Sequence, residues 1–242
     1  MKHHIWSQSP PDSFFWQDLL PESRPCQNRF VTGQRTYGGI PADERRTQRR
    51  TALLDAALDL LGAGGIDKLT VSALCAGAGL NERYYYEHFD GRDAVLSALF
   101  DSLAEELAAA LLAGLHTAPD DPRAKAHAAI TAGIGVLADD PRKARVALLV
   151  GSATPELRTR TTHTIKAFAN LVAAEGIDFY GLTDRDPKPL IGFRATYLVG
   201  GLVHTLTAWL QGDLPMTRAE LVDATTDVFV LLGEDLAREI RR

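Results

Sequence analysis

Cysteine is nearly absent: Cys26 and Cys75 are the two in 242 residues, so no disulfide framework can be built and a reducing cytoplasm is the expected compartment. Long apolar runs are missing as well. None reaches the roughly 18 residues that a membrane span needs, because Asp101, Glu105, Glu106, Glu234 and Asp235 cut the best candidates. After Lys2 the chain meets Trp6, Pro10, Pro11 and Asp12 rather than an apolar stretch, so no secretory signal is read there. Strand signals are confined to scraps such as Phe179–Tyr180. The chemistry-bearing spacings are missing too. No Ser/His/Asp arrangement, phosphate-cradling Gly loop or His-Glu-x-x-His pattern is present, and His116, His127, His163 and His204 stand apart. Neither an enzyme, a metal site nor a cofactor is expected.

What is present is an ordinary globular composition, 45% apolar and 24% charged, with enough chain for one large domain or two modest ones. The net charge of −5 is unevenly spread. Residues 1–92 hold 11 basic and 11 acidic side chains, and residues 93–242 hold 15 and 20. Within the neutral part, Arg45, Arg46, Arg49 and Arg50 fall within six residues, a local basic cluster suited to a polyanion. Residues 1–40 carry Pro10, Pro11, Pro21, Pro25 and three glycines without a sustained period, and read as a disordered extension.

From Ala42 onward the periodicity is helical. Leu53, Leu54, Ala57, Leu60 and Leu61 follow a 3.6 period, ended by Gly62, Gly64 and Gly65. Thr70 is placed to cap a short helix with Val71, Leu74, Cys75 and Ala78 on one face, and Gly79 ends it. Asn81 caps a third helix reaching about Phe89, and Asp90 is expected to cap a long fourth one to about Leu115. Two helices follow between Arg123 and Ser152, broken at Asp139–Asp140–Pro141. Thr154 and Pro155 open another, a loop is expected from Gly176 to about Lys188, and two helices close the chain. The last begins with a capping box, Thr217 to Glu220. The fold class is all-α.

Two short helices joined by Gly79–Leu80–Asn81 form a helix-turn-helix pattern, whose second helix offers its N-terminal side chains to base edges. Tyr85 and Phe89, four apart, should face inward. Asn81, Glu82, Arg83, Tyr84, Tyr86, Glu87 and His88 are then left towards DNA or solvent. The run from Thr70 to Asp93, TVSALCAGAGLNERYYYEHFDGRD, closely resembles the DNA-binding head of TetR-family transcriptional regulators. Tyr37-Gly38-Gly39, the Arg-rich helix start and Asp140-Pro141-Arg142 resemble a subgroup common in actinobacteria.

The resemblance implies three segments: an extension over 1–40, a helix-turn-helix domain over 41–92 with its motif at about 70–89, and a helical effector-binding and dimerisation domain over 93–242. It implies phosphate contacts for Thr70, Tyr86 and Arg92. Arg83 departs from the small residue common at its position, and with Tyr84 it is expected to read bases; Arg49 is expected to add charge at the DNA. The resemblance further implies a homodimer, formed through the last two helices. The apolar stripes Leu198, Leu202, Leu206 and Trp209, and Leu221, Val228 and Leu232, fit that interface, and Gly192, Gly200 and Gly201 would permit close helix approach. An effector pocket is implied between the fourth and eighth helices, with His127, Thr131, Thr164, Phe168 and Tyr197 as candidate lining.

The expected function is therefore a regulator, a repressor released from double-stranded operator DNA by a small molecule. A non-sensing helical DNA-binding protein and a helical carrier or enzyme are the alternatives. Before the first helix, Gln34 to Gly39 is a cationic arm that could lay Arg35 in a narrowed minor groove.

Overall fold

The computed structural model describes residues 41–152, 154–182 and 188–240. The expectations for residues 1–40, including the Arg35 arm, lie outside the described residues.

Every regular element among the described residues is helical. α1 (Ala42–Gly64) is followed by a 3-10 turn (Ile66–Lys68), α2 (Val71–Ala78), α3 (Glu82–Tyr86) and α4 (Arg92–Thr117). Then come α5 (Pro122–Ala138) and α6 (Pro141–Ala144), which runs on through a π-helical turn (Arg145–Leu149) and a 3-10 turn (Val150–Ser152). α7 (Pro155–Tyr180), α8 (Lys188–Gln211) and α9 (Arg218–Ile240) complete the chain.

Local chemistry explains most boundaries. The Thr70 hydroxyl accepts from the Ala73 N–H, and Asn81 Oδ1 accepts from the Tyr84 N–H, both at 3.2 Å. Asp121 and Thr154 cap α5 and α7 in the same way, each followed by proline in the first turn. The Thr217–Glu220 box forms reciprocally: the Thr217 N–H donates to Glu220 Oε2 at 2.8 Å and the Glu220 N–H donates to Thr217 Oγ1 at 3.2 Å. Gly79 sits at φ 64°, ψ 31°, a left-handed conformation that a side chain would strain. Gly114 serves close approach instead, since a Cβ there would meet the Ala128 carbonyl oxygen at 2.6 Å.

Three expected boundaries shift. Asp90 does not cap α4; extended Gly91 holds that place and gives no side-chain bond. Gly62 and Gly64 lie inside α1, and Gly65, at φ 79°, is the first residue outside it. The expected loop at Gly176 is helical to Tyr180, because the left-handed glycine that ends α7 is Gly181, at φ 62°.

Helices α1–α3 and the first turns of α4 enclose one core, with Leu53, Leu61, Leu74, Tyr85, Val95 and Leu96 essentially inaccessible. Each such leucine stabilises the fold by about 1.5–3 kcal/mol through burial. This core does not stop at α4. Leu99, Phe100 and Leu103 join it, as do Val146, Val150 and Leu157 from beyond α5. A second core joins α5, α6, α8 and α9 through Ile130, Ile134, Leu137, Ala144, Leu206, Leu221 and Val222. Ala169, Ala195 and Val199 seal α7 to α8.

Candidate nucleic-acid interface and internal cavity

Tyr85 on α3 and Phe89, three residues past its end, point inward, both buried, with ring centroids 6.0 Å apart. Their burial turns Asn81, Glu82, Arg83, Tyr86 and Glu87 outward, and Tyr86 remains 59% exposed despite its size. Thr70 and Arg92, at the starts of α2 and α4, are also exposed. The structure thus brings Thr70, Asn81, Glu82, Arg83, Tyr86 and Arg92 to the solvent side of the α2–α3–α4 unit.

Three expected DNA residues are placed differently, because α1 lies across α3. The Arg49 guanidinium stacks over the Tyr84 ring, 4.5 Å from its centroid, and lies 3.9 Å from the Glu87 carboxylate. Arg49 and Tyr84 are therefore half-buried and hold each other. His88 turns inward, with Nε2 buried and no hydrogen-bond partner among the described residues. Burial holds its imidazole below the usual histidine range, and Arg46 and Arg49 add to that effect while Glu87 opposes it. Arg83 is fully available in space but paired locally, its Nε donating to Glu87 Oε1 at 3.3 Å. Glu87, which was expected to be left towards DNA or solvent, is thus the anionic hub between two arginines. The i, i+4 spacing from Arg83 was the legible signal.

The second feature is a cavity of about 360 Å³ enclosed by α4, α5, α7, α8 and α9. Its wall is almost wholly apolar, formed by residues such as Leu107, Ile134, Phe168, Val172, Leu198 and Leu202. Of the expected lining residues, Thr164 and Phe168 face it. His127, Thr131 and Tyr197 do not. His127 sits on the outer side of α5, 3.3 Å from the Asp223 carboxylate, with Thr131 beside it. α5 gives the cavity the face carrying Ala126, Ala129, Ile130 and Gly133 instead. Tyr197 is 66% exposed on the outer face of α8, stacked on Phe193. The polar residues that do line the cavity are Lys125, Thr161, Glu175, Asp178, Tyr180 and Arg194. Asp178 and Tyr180 went unread because α7 was expected to end near Gly176, and Arg194 because it sits in an otherwise apolar helix.

The expected dimer stripes need the same correction. Leu198, Leu206 and Leu221 are buried within their own chain, and Leu198, Leu202, Leu206 and Leu232 face its cavity. Trp209 closes the α8–α9 turn, its indole N–H donating to the Met216 carbonyl at 2.8 Å. Val228 is the one of the seven that points outward, beside Leu231 on α9; Phe193 and Tyr197 do so on α8. Close packing inside the chain does not explain Gly192, Gly200 and Gly201, where a Cβ would meet nothing within 4 Å.

Residues 53–99, from the second half of α1 into α4, match the family model described as bacterial regulatory proteins, tetR family. No curated protein matches the sequence. Among solved structures, the fatty acid degradation regulator FadR from Bacillus halodurans is 20% identical, with a TM-score of 0.64 over 75% of this chain and 94% of that one. FadR from Bacillus subtilis, solved in complex with stearoyl-CoA, is 21% identical over 76% of this chain and 97% of that one, with a TM-score of 0.59. A tetR-family regulator from Streptomyces coelicolor is 17% identical over 81% and 89% of the two chains, at 0.63. At these identities the likeness is one of fold. The head over residues 53–99 is thus similar to that of the tetR family of bacterial regulatory proteins, and the chain shares its fold with these regulators along nearly their whole length.

Proposed function

We propose that the chain is a homodimeric transcriptional repressor, acting in the cytoplasm, whose grip on operator DNA is loosened by an apolar effector in the cavity. The observation that carries this reading is mechanical. The stretch from Arg142 to Val150 has Ala147 and Leu148 on the cavity and Val146 and Val150 in the core of the head. From the same stretch, Arg142 pairs with Asp59 on α1 and with Asp140 in its own turn. α4 does likewise, with Val95, Leu96 and Leu99 under the head and Phe100 to Leu115 along the cavity. A ligand filling the cavity therefore presses on two elements that support α1–α3. Reversing operator occupancy from 99:1 to 1:99 requires about 5.5 kcal/mol of discrimination between the two states.

The outward apolar residues Phe193 and Tyr197 on α8 and Val228 and Leu231 on α9 support pairing with a second copy, and the open glycines of α8 would let its helices come close. Two heads would then meet half-sites about 34–36 Å apart, or somewhat more. Genomic footprinting supplies the operator, and gel-shift titration with and without ligand tests the reading. A short palindrome, a dimer by light scattering and weaker binding with ligand are expected. Ligands that stabilise the protein but never change operator affinity would overturn the sensing part. A monomer that binds its site tightly would overturn the dimer.

A further inference from the structure

Occupied or not, the cavity has a direction. Its wall runs along α4 from Phe100 to Leu115 and along α7 from Thr161 to Tyr180, roughly 22 Å and 28 Å at 1.5 Å per residue. The end beside Thr161 is closed by the core under the head, where Thr161 donates its hydroxyl to the Gly151 carbonyl at 3.1 Å. The other end gathers the charged lining residues. Glu175 and Asp178 stand on one face of α7, three residues apart, with Phe179 and Tyr180 beside them. Lys125 and Arg194 are the cations there.

The balance of charge at that end is acidic. Lys125 is already neutralised by Asp120 at 2.7 Å, and its ammonium lies 4.9 Å from the centre of the Phe179 ring. Arg194 is held by two carboxylates of α9, Asp235 at 3.0 Å and Glu239 at 2.7 Å, and also donates to the Leu232 carbonyl at 2.9 Å. Glu234 lies close enough to Tyr180 to raise its phenol further, beyond the larger effect of burial. Glu175 and Asp178 have no cationic partner among the described residues, and Glu175 is half-buried. A ligand chain entering here strips water from Glu175. A neutral head would leave that carboxylate dehydrated and unpaired, and an anionic head would add repulsion.

We propose that the effector is a long-chain aliphatic amine or quaternary ammonium compound, its chain along the cavity and its cationic head between Glu175 and Asp178. This rests on the cavity being the effector site and adds the charge of the ligand. Three backbone bonds advance about 3.8 Å, so an extended chain of about 17 carbons matches the shorter wall and one of about 14 fits within it. The aromatic rings of Phe179 and Tyr180 suit a cation as neighbours. A CoA thioester, the ligand of the Bacillus subtilis neighbour, brings several negative charges to an end of the cavity that has no free cation among the described residues.

The test uses the full chain and four probes of equal length below their micelle concentrations: tetradecylamine, tetradecanol, tetradecanoate and tetradecanoyl-CoA. Each competes with a polarity-sensitive apolar dye. The amine should displace the dye at a concentration about tenfold or more below that of the alcohol, and the two anions should be weaker than the alcohol. In Glu175→Gln/Asp178→Asn the preference for the amine over the alcohol should vanish, with the alcohol bound no more weakly than before because no carboxylate is left to dehydrate. Equal or tighter binding of the acid or the thioester, or an amine preference that survives the double substitution, overturns the proposal while leaving the cavity an effector site. Leu202→Trp, which fills the cavity, separates the two failures. If it leaves dye and probes bound as before, the cavity is not where they bind and both readings fall.

Discussion

Replacing Glu87 by Gln should make the head bind DNA more tightly and less selectively. The Glu87 carboxylate sits 3.3 Å from Arg83 Nε and 3.9 Å from an Arg49 nitrogen, on the face that Arg83 and Tyr86 share. Arg83 is 85% exposed, so its pair is screened, and an i, i+4 pair of this kind is worth about 0.3–0.5 kcal/mol. Docked DNA would set phosphates at about 8 Å from this carboxylate, and at a water-like dielectric the repulsion is about 0.5 kcal/mol. Loss of the repulsion and release of Arg83 together give about 1 kcal/mol, or about fivefold tighter binding. One more uncompensated cation should steepen the salt dependence of log K by about 0.9. The gain should be largest on random duplex, where Arg83 has no base to meet. Fluorescence anisotropy on random and operator duplexes across a salt series measures all three effects, with thermal unfolding as the check that the head stays folded. A folded Glu87→Gln protein that binds every duplex more weakly, at an unchanged salt slope, would refute the reasoning and make Glu87 the residue that aims Arg83.

Other perturbations separate positioning from reading. Arg92→Ala should weaken all sequences alike and lower the salt slope by about one, whereas Arg83→Ala should relax preference at one base pair at a cost of about 1–3 kcal/mol there. Equal loss of preference in both variants would show that the division is wrong. Tyr85→Phe removes a buried hydroxyl that has no partner among the described residues, and should raise stability by about 1 kcal/mol in thermal unfolding. A clear loss would mean that an ordered water satisfies the phenol. His88 titrates below its unfolded value of about 6.5, so the unfolded chain binds the extra proton first. Its contribution is therefore present above about pH 6.5 and is lost as pH falls towards the folded value, at no more than about 1.4 kcal/mol per pH unit. Denaturant titrations between about pH 7.5 and about pH 5.5, roughly the window of histidine titration, should show this slope in the native sequence and a flatter one in His88→Gln. Identical slopes would assign the acid sensitivity elsewhere.

The helix-turn-helix unit was legible because its determinants are local. Thr70, Gly79 and Asn81 act through backbone groups within four residues of themselves, and the Thr217–Glu220 box spans three. Tyr85 and Phe89 needed only the helical period to be turned inward. The sequence by itself thus determined that the chain is helical, that Thr70, Asn81 and Thr217 cap their helices, and that a short exposed helix carries Arg83 and Tyr86. The end of α7 was a harder local choice: Gly176 and Gly181 both offer a glycine stop, and the left-handed turn formed at the second.

Which side of a doubly apolar helix faces home was not local at all. On α8, Leu198, Leu202 and Leu206 form one apolar face and Phe193 and Tyr197 another, and period alone ranks neither. Packing against α5, α7 and α9 decided it, turning the aliphatic side to the cavity and core and the aromatic pair outward. Tertiary structure likewise took Tyr84 and His88 from the DNA side by laying the arginines of α1 across them, and left Val228 outward while drawing Leu221 and Leu232 in. Caps and turns are fixed by atoms a few residues apart, whereas a helix face is fixed by whichever distant surface covers it, and that surface exists only once the chain has folded.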